Sequence, residues 1–245
     1  MLTGAGTLRG SVESFQKIFF CDKNLCMEAE NRNLLVQGGK AFGIDLDEKT
    51  IKSFELYLKE LIKWNQKINL TAIRSENGIV LKHFIDSFSV YPYLYEDSSV
   101  LDIGSGAGFP GIPLKIVQPA LEMTLIDSVR KKVDFQRHTI RILGLKAIEA
   151  IHGRAQDREI LQNLGARFDI ILSRAFSDLR TFLMLSFPFL KEKGMAIAMK
   201  GAMDYKEIEP LTEEEAPYRL GKSVSLTLPF SSIKRTILLF QKQQV

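Results

Sequence analysis

A dense group of glycines is the part of this sequence best suited to hold a ligand. A run at residues 100–103 that is apolar except for Asp102 leads into four glycines within residues 104–111, and an apolar helical stretch follows. The pattern predicts a buried strand, a tight turn and the start of a helix. Glycines let the backbone approach a ligand closely, and a helix start offers unpaired N–H groups. We therefore predict a ligand site at the carboxyl end of this strand.

The acidic residue before the turn indicates which ligand the site takes. Gly106, Gly108 and Gly111 have the spacing of a dinucleotide fingerprint. A dinucleotide would bring its pyrophosphate to this turn, where the carboxylate of Asp102 would repel it. A carboxylate suits S-adenosylmethionine, which carries an ammonium, a sulfonium and no phosphate. With Gly104, the residues form the Asp-x-Gly-x-Gly-x-Gly pattern of class I methyltransferases. The alternatives are a nicotinamide dinucleotide or a turn that binds nothing.

Two further strand ends offer groups for the same ligand. Asp127 ends an apolar strand at residues 122–127, where a carboxylate can accept hydrogen bonds from a ribose diol. The alternative is an N-cap aspartate for the helix that follows. Gln156 comes after the third predicted strand, where an adenine is usually bound, and the alternative is a surface residue at a helix start.

The residues after the fourth predicted strand indicate which atom of the substrate is methylated. Methyltransferases that act on exocyclic amines carry Asp/Asn-Pro-Pro-aromatic there, whereas this chain carries Ser-Arg-Ala-Phe at residues 173–176. Methylation at pyrimidine C5 needs a cysteine nucleophile, and no cysteine lies near a predicted strand end. Guanine N7 needs no general base, because it already has a free lone pair. Arg174 could position guanine through its O6/N7 edge, the alternative being a structural ion pair. His83 is a second candidate for a substrate role, the alternative being a structural hydrogen-bonding residue.

Basic residues follow the second predicted strand. Arg130, Arg137 and Arg141 recur on one face of the helix predicted at residues 129–143, and Lys131 and Lys200 would extend this patch. A basic stripe beside a pocket suits a phosphate backbone, so we predict RNA binding here. The alternative is an ordinary solvated helix face. The formal net charge of +4 permits a nucleic-acid partner without requiring one.

Composition sets the broad class of the protein. The chain has 245 residues, of which 45% are hydrophobic, and a mean hydropathy of −0.01. These values fit one α/β domain with a small extension. We expect no membrane span, no signal peptide and no metal site, because the apolar runs are short and the two cysteines lack a nearby histidine. We expect a cytoplasmic monomer.

The order of elements predicts a doubly wound sheet. Residues 1–40 are predicted to be a poorly ordered extension with one helix near residues 29–36, residues 41–96 a helical cap, and residues 97–245 the core. Strands are predicted at residues 99–103, 122–127, 147–151, 168–172, 194–200, 223–228 and 235–241, with helices at 75–94, 110–118, 129–143, 157–164, 178–191 and 204–215. Alternating strands and helices imply a mostly parallel sheet, and the short loop at residues 229–234 makes the last two strands antiparallel.

Several motifs in order also resemble a known family. These are Trp64-Asn65 with Asn69-Leu70-Thr71, Lys82-His83 with Asp86-Ser87, residues 101–114 with Gly-Phe-Pro-Gly-Ile-Pro, Gly153-Arg154-Ala155 and Ser173-Arg174-Ala175. Over about residues 40–240 the chain resembles the RsmG family, also called glucose-inhibited division protein B. The resemblance implies a class I, Rossmann-like fold and methylation of guanine N7 in small-subunit (16S) ribosomal RNA, or in the 30S subunit, with S-adenosylmethionine. It implies cofactor contacts at Gly104, Phe109, Asp127, Ser128, Val129, Ala155, Gln156 and Arg174. Many family members carry glutamate at the position of Gln156.

Two other functions stay open from the sequence. One is a methyltransferase that acts on a small molecule or a protein and does not depend on the basic stripe. The other is a ribosome-associated RNA-binding factor that keeps the cofactor fold without turnover.

Overall fold

The computed structural model describes residues 27–174, 176, 178–203 and 218–243, and its centre is a single seven-stranded sheet. The strands are β1 (Ser99–Ile103), β2 (Glu122–Asp127), β3 (Ile148–His152), β4 (Phe168–Ser173), β5 (Leu190–Lys200), β6 (Tyr218–Thr227) and β7 (Lys234–Lys242). Their order is β3-β2-β1-β4-β5-β7-β6. The first five strands are parallel, β7 is antiparallel to β5, and β6 is antiparallel to β7. The predicted fold class is confirmed.

Helices cover the sheet and form the cap. They are α1 (Ala29–Ala41), α2 (Glu48–Asn65), α3 (Glu76–Ile79), α4 (Asp86–Phe88), α5 (Gly111–Val117), α6 (Arg130–Ile142), α7 (Arg158–Leu164) and α8 (Leu179–Ser186). Two 3₁₀ turns, Tyr91–Tyr93 and Phe187–Phe189, follow α4 and α8. Within the described ranges, no helix combines the length and the apolarity that crossing a bilayer would need. The helix predicted at residues 204–215 lies outside the described residues.

The hydrophobic core lies on both faces of the sheet because its central strands are buried on both sides. In β1, Val100 packs into the cluster shared with the cap, whereas Leu101 packs into the cluster under α7 and α8. Parallel strands covered on both faces are typically apolar runs, such as Ile170-Ile171-Leu172 of β4, whereas β1 carries the same kind of run interrupted by Asp102. The strong apolar signal that predicted these strands therefore reports burial on two faces.

The helix predicted near residues 29–36 is present as α1, which continues to Ala41 and packs on the cap instead of belonging to a poorly ordered extension. Gly38 and Gly39 both lie inside the last turns of α1 and are buried. A Cβ on Gly38 would come within 2.4 Å of the Ile85 side chain, so glycine allows α1 to pack closely on the cap. Leu35 is fully buried on the same helix. The cap therefore includes α1, and residues 1–26 lie outside the described residues.

The segment predicted as one helix at residues 75–94 is mostly helical, but the helix is irregular. Between α3 and α4 the chain forms one π-helical turn, Val80–Ile85, which contains His83. Such turns hold an extra residue and occur often at functional sites. The predicted helix at 178–191 also ends early, because β5 begins at Leu190 and not at residue 194. The π-helical turn and β4 together position the residues discussed next.

Candidate functional site

The glycine turn connects β1 to α5 and is fixed by the end of β2. The backbone N–H of Gly104 donates to the Ile126 carbonyl (2.8 Å), and that of Gly106 donates to the Asp127 carboxylate (2.8 Å). Gly106 and Gly108 have positive φ angles of 61° and 94°. Residues other than glycine rarely adopt this conformation, which explains the spacing of the glycines. The turn is therefore a preformed cradle.

Asp102 lies fully buried under this turn. Its Oδ2 accepts a hydrogen bond from the Gly111 N–H (2.9 Å), whereas its buried Oδ1 has no partner among the described residues. Burial raises the pKa of Asp102 to about 8, although the Gly111 N–H and the Arg174 charge oppose the rise. A buried carboxyl oxygen without a partner is costly. The ammonium of S-adenosylmethionine is a group that would satisfy it, so this part of the site fits the cofactor.

We expect S-adenosylmethionine binding at pH 7 to release about one proton. Asp102, with a pKa of about 8, is mainly protonated before binding, and an ammonium beside Oδ1 favours the carboxylate. The affinity should accordingly rise with pH up to about 8. Calorimetric titration in two buffers with different ionisation enthalpies measures the proton release. Asp102→Asn cannot lose this proton and should release none; release that persists in this variant would contradict the assignment.

The ends of β2 and β3 meet beside the turn. The Asp127 carboxylate accepts from Val129 N–H (2.8 Å) as well as from Gly106, and the Asp127 carbonyl accepts from Gly153 N–H (3.1 Å). Ser128 and Val129 are exposed on this edge, with Val129 43% exposed. Ala155 is buried and Gln156 is exposed where β3 leads into α7. This arrangement suits a nucleoside: a carboxylate for the ribose and an exposed apolar side chain for the base.

Arg174, at the end of β4, is held by three groups of the cap. Its Nη1 donates to the Asp86 carboxylate (3.2 Å) and to the Lys82 carbonyl (3.1 Å), and its Nη2 donates to His83 Nδ1 (3.0 Å). The guanidinium also lies over the ring of Phe109, 5.4 Å from the centroid. Its Nε–H and one Nη2–H have no partner among the described residues. The side chain is thus fixed while two donors remain available.

His83 is part of this support. Its ring stacks on Phe109 with the centroids 4.4 Å apart, and Nε2 lies 2.8 Å from Thr71 Oγ1. A guanidinium can only donate, so Nδ1 must accept from Arg174 and the proton must be on Nε2. Burial, with the Arg174 charge, lowers the pKa of His83 to about 3. A neutral imidazole with both nitrogens bonded matches the structural alternative for His83 better than a proton carrier.

Sequence reasoning missed Asp86 and Arg235 as part of the site. The Asp86 side chain is fully buried and accepts from Arg174 and also from Arg235, whose Nε lies 2.7 Å from Asp86 Oδ1. Asp86 belongs to the motif Lys82-His83 with Asp86-Ser87, but its second partner, Arg235, comes 149 positions later in the chain. A carboxylate within an apolar helical segment was the available signal, because a buried charge needs a partner.

Asparagine and glutamine side chains hold the surrounding loops. Asn65 Oδ1 accepts from Leu70 N–H (2.8 Å) and Thr71 N–H (3.0 Å), which places Thr71 against His83. Gln136 Nε2, buried on α6, donates to Ser105 Oγ (2.8 Å) under the glycine turn. The polar motif around Asn65 therefore acts through Thr71 and His83 on Arg174.

The basic residues predicted to form one patch do not all lie at the carboxyl edge of the sheet. Arg130 and Lys131 are exposed at the start of α6, beside the end of β2. The helix rises about 1.5 Å per residue, so Arg141 lies about 16 Å farther from the site. Arg137 Nε donates to the Ala150 carbonyl of β3 (2.9 Å), and Lys200 Nζ donates to the Phe176 carbonyl (2.5 Å). The structure thus places Arg130, Lys131 and Lys200 at the site edge, whereas Arg141 lies away from it.

Fold and site together define a class I S-adenosylmethionine-dependent methyltransferase, and solved structures agree. The crystal structure of M. jannaschii TYW2 in complex with AdoMet aligns with a TM-score of 0.53 at 18% identity, over 70% of this chain and 80% of that chain. A SAM-dependent methyltransferase from Aquifex aeolicus aligns with a TM-score of 0.51 at 20% identity, over 66% and 92%. At these identities the likeness shows the fold alone.

The sequence comparisons show the family. The family model described as rRNA small subunit methyltransferase G matches residues 50–237. A ribosomal RNA small subunit methyltransferase G of Geobacter metallireducens is 40% identical over 221 residues, covering 89% of this chain and 99% of the relative. One of Acetivibrio thermocellus is 40% identical over 220 residues, covering 88% and 90%. The chain belongs to this family, and the predicted family, enzyme class and cofactor are confirmed.

Proposed function

We propose that this protein transfers the methyl group of S-adenosylmethionine to N7 of a guanine in small-subunit ribosomal RNA. The observation that carries the proposal is the placement of Arg174 at the end of β4: three groups of the cap hold its guanidinium, and its Nε–H and one Nη2–H have no partner among the described residues. Beside it, His83 has a pKa of about 3 and both nitrogens bonded. Among the described residues, the site therefore offers a positioned hydrogen-bond donor, and the neutral His83 ring beside it is not available as a general base, which suits a substrate with a free lone pair.

The chemistry needs alignment more than proton transfer. When bound, S-adenosylmethionine supplies an electrophilic methyl group on a positively charged sulfur. In the transfer, the lone pair of guanine N7 would form the new N–C bond, the electron pair of the broken S–C bond would stay on sulfur, and the positive charge would pass to the methylated guanine. No proton is removed in this step, so holding the two reacting atoms in line is the main contribution the protein makes. The rigid support of Arg174 fits this task.

Arg174 would hold the guanine through O6 and leave N7 free. A hydrogen bond donated to N7 would occupy the lone pair that must attack, so contact with both O6 and N7 at the moment of transfer is unsuitable. The free Nε–H and Nη2–H can both be directed at one carbonyl oxygen. This assignment makes O6 a specificity contact: adenine carries an amino group there, which cannot accept from a guanidinium.

We assign the remaining site residues by their places around the turn. The proposed cofactor contacts share the carboxyl edges of β1, β2 and β3 and the end of β4: Asp102, Gly104, Gly106, Phe109, Asp127, Ser128, Val129, Ala155, Gln156 and Arg174. Those proposed for RNA are basic: Arg130, Lys131, Arg137, Arg141 and Lys200. We further propose that the protein works as a monomer in the cytoplasm, on ribosomal RNA or on an assembled small subunit.

The decisive experiment follows the methyl group to one atom. Purified protein with radiolabelled S-adenosylmethionine and small-subunit RNA should label the RNA, and chemical cleavage at N7-methylguanine should give a single site. RNA from cells lacking the gene should lose that cleavage and regain it on complementation. RNA binding without transfer would identify a binding factor instead. Transfer to another atom, or only to proteins or small molecules, would contradict the proposal.

A further inference from the structure

The turn between β6 and β7 carries an exposed aromatic residue at the site edge. Phe230 is 64% exposed, whereas Leu228 in the same turn is buried and anchors it. β6 has the direction of the parallel strands, so this turn lies at their carboxyl edge, where the glycine turn and Arg174 also lie. Arg235, five residues after Phe230, reaches the Asp86 carboxylate that holds Arg174 (2.7 Å). The hairpin that carries Phe230 is thus linked to Arg174 through Arg235 and Asp86.

The backbone of Phe230 has an unfavourable conformation. Phe230 has a φ angle of +59°, which bulky residues rarely adopt. Hydrogen bonds within the turn maintain it: Leu228 N–H donates to the Ile233 carbonyl (2.8 Å), and Ser231 Oγ donates to the Leu228 carbonyl (2.9 Å). Strain of this kind concentrates at functional positions. An exposed phenylalanine held in a strained turn gains nothing from burial, so its role is sought in a partner.

The surroundings of the turn are basic and hydroxylated. A groove of about 430 Å³ lies between the end of β5 and the two strands of the hairpin. Its lining combines the polar residues Ser225, Thr227, Lys234, Arg235 and Thr236 with the apolar residues Ala202, Met203 and Leu226. Lys234 is exposed and can contact a phosphate, and the hydroxyls of Ser225 and Thr227 can contact phosphates or ribose. The Arg235 guanidinium is paired with Asp86 and closes the inner end of the groove. Positive charge and hydroxyls beside an exposed aromatic ring match single-stranded RNA better than an apolar protein surface.

We propose that Phe230 stacks on an unpaired base next to the target guanine, while the groove beside it binds the RNA backbone. The inference rests on the proposed function, which it extends from the reacting base to its neighbour. Stacking on an aromatic ring tolerates any base, so Phe230 supplies affinity and orientation. Discrimination of guanine belongs to Arg174.

The test compares full-length variants on small-subunit RNA, both naked and in assembled small subunits. Phe230→Ala should raise the RNA Kd and the RNA KM by about tenfold, the scale of one lost base stack. The Kd for S-adenosylmethionine and the melting temperature should stay unchanged. Phe230→Trp should retain RNA affinity, and its fluorescence should be quenched by RNA beyond the change that Trp64 alone shows in the wild type. Tyr95→Ala is the matched control, because Tyr95 is 52% exposed but precedes β1, at the opposite edge.

The outcomes separate this inference from the proposed function. The inference alone would be overturned if Phe230→Ala transferred methyl groups as the wild type does and bound RNA with a Kd within twofold of the wild-type value. The absence of added fluorescence quenching in Phe230→Trp would also overturn it. A defect on assembled subunits but not on naked RNA would indicate a protein partner and would overturn it as well. Absence of methyl transfer by the wild type on both substrates would overturn the proposed function together with the inference.

Discussion

Asp86→Ala should destabilise the protein and abolish most of its methyl transfer. We expect the free energy of unfolding to fall by about 3 kcal/mol, near the low end for a broken buried ion pair. The low end applies because the Arg174 and Arg235 side chains are 24% and 21% exposed, so water partly solvates them once Asp86 is gone. The melting temperature should drop by about 10 °C. Thermal unfolding followed by circular dichroism measures this change.

Activity gives the second measurement on the same variant. With Asp86 removed, Arg174 keeps His83 and the Lys82 carbonyl but loses its charged partner, so transfer at a temperature where the variant is folded should fall about 100-fold. Asp86→Asn keeps one acceptor oxygen and should show a smaller loss of both stability and activity.

A second carboxylate provides the control for Asp86. Asp169 pairs with Lys191 (2.9 Å) and Ser99 at the other edge of the sheet, and its side chain is 33% exposed. Asp169→Ala should lower stability to a smaller extent and leave transfer per folded molecule unchanged. If Asp86→Ala stayed within a few degrees of the wild type and retained full activity, the bridging role of Asp86 would be wrong.

Arg174→Ala should lower kcat/KM for RNA at least about 100-fold, because the guanine would lose the donor that aligns it. We expect S-adenosylmethionine affinity to fall by less than about tenfold, since the glycine turn and both aspartates remain. Arg174→Lys keeps the charge but not the planar fork of donors, so it should recover only a small part of the rate. Single-turnover kinetics together with equilibrium cofactor binding separate the two effects.

The measurements on the Arg174 variants need a control for the loss of one positive charge. Arg167 lies just before β4, at the opposite edge, and its Nη1 donates to the Asn163 carbonyl (3.0 Å). Arg167→Ala removes one positive charge from the same strand region without touching the site, and its kcat/KM should stay within about twofold of the wild type. A loss confined to cofactor binding in Arg174→Ala would contradict the assignment of Arg174 to guanine positioning.

Particular residues show how far the sequence allows prediction. The glycine turn, Asp102 and Asp127 could be placed at the ends of two neighbouring strands, because short spacing within one segment reflects local geometry. The parallel sheet and its antiparallel end followed from the order of strands and helices. The helix near residues 29–36 was predicted too short, because glycine is a poor helix former and only close packing against Ile85 explains Gly38 inside α1. Intrinsic propensity cannot anticipate such a contact.

The sequence by itself determined the class of fold, the cofactor and the family, because these depend on motifs and periodicity within continuous segments. Only the tertiary structure decided that Asp86 joins Arg174 to Arg235, that His83 supports Arg174 as a neutral ring, and that Phe230 lies at the site edge. These relations join residues far apart in the chain. Charge pairing, burial and the resulting pKa values depend on distance in space, which spacing along the sequence does not specify.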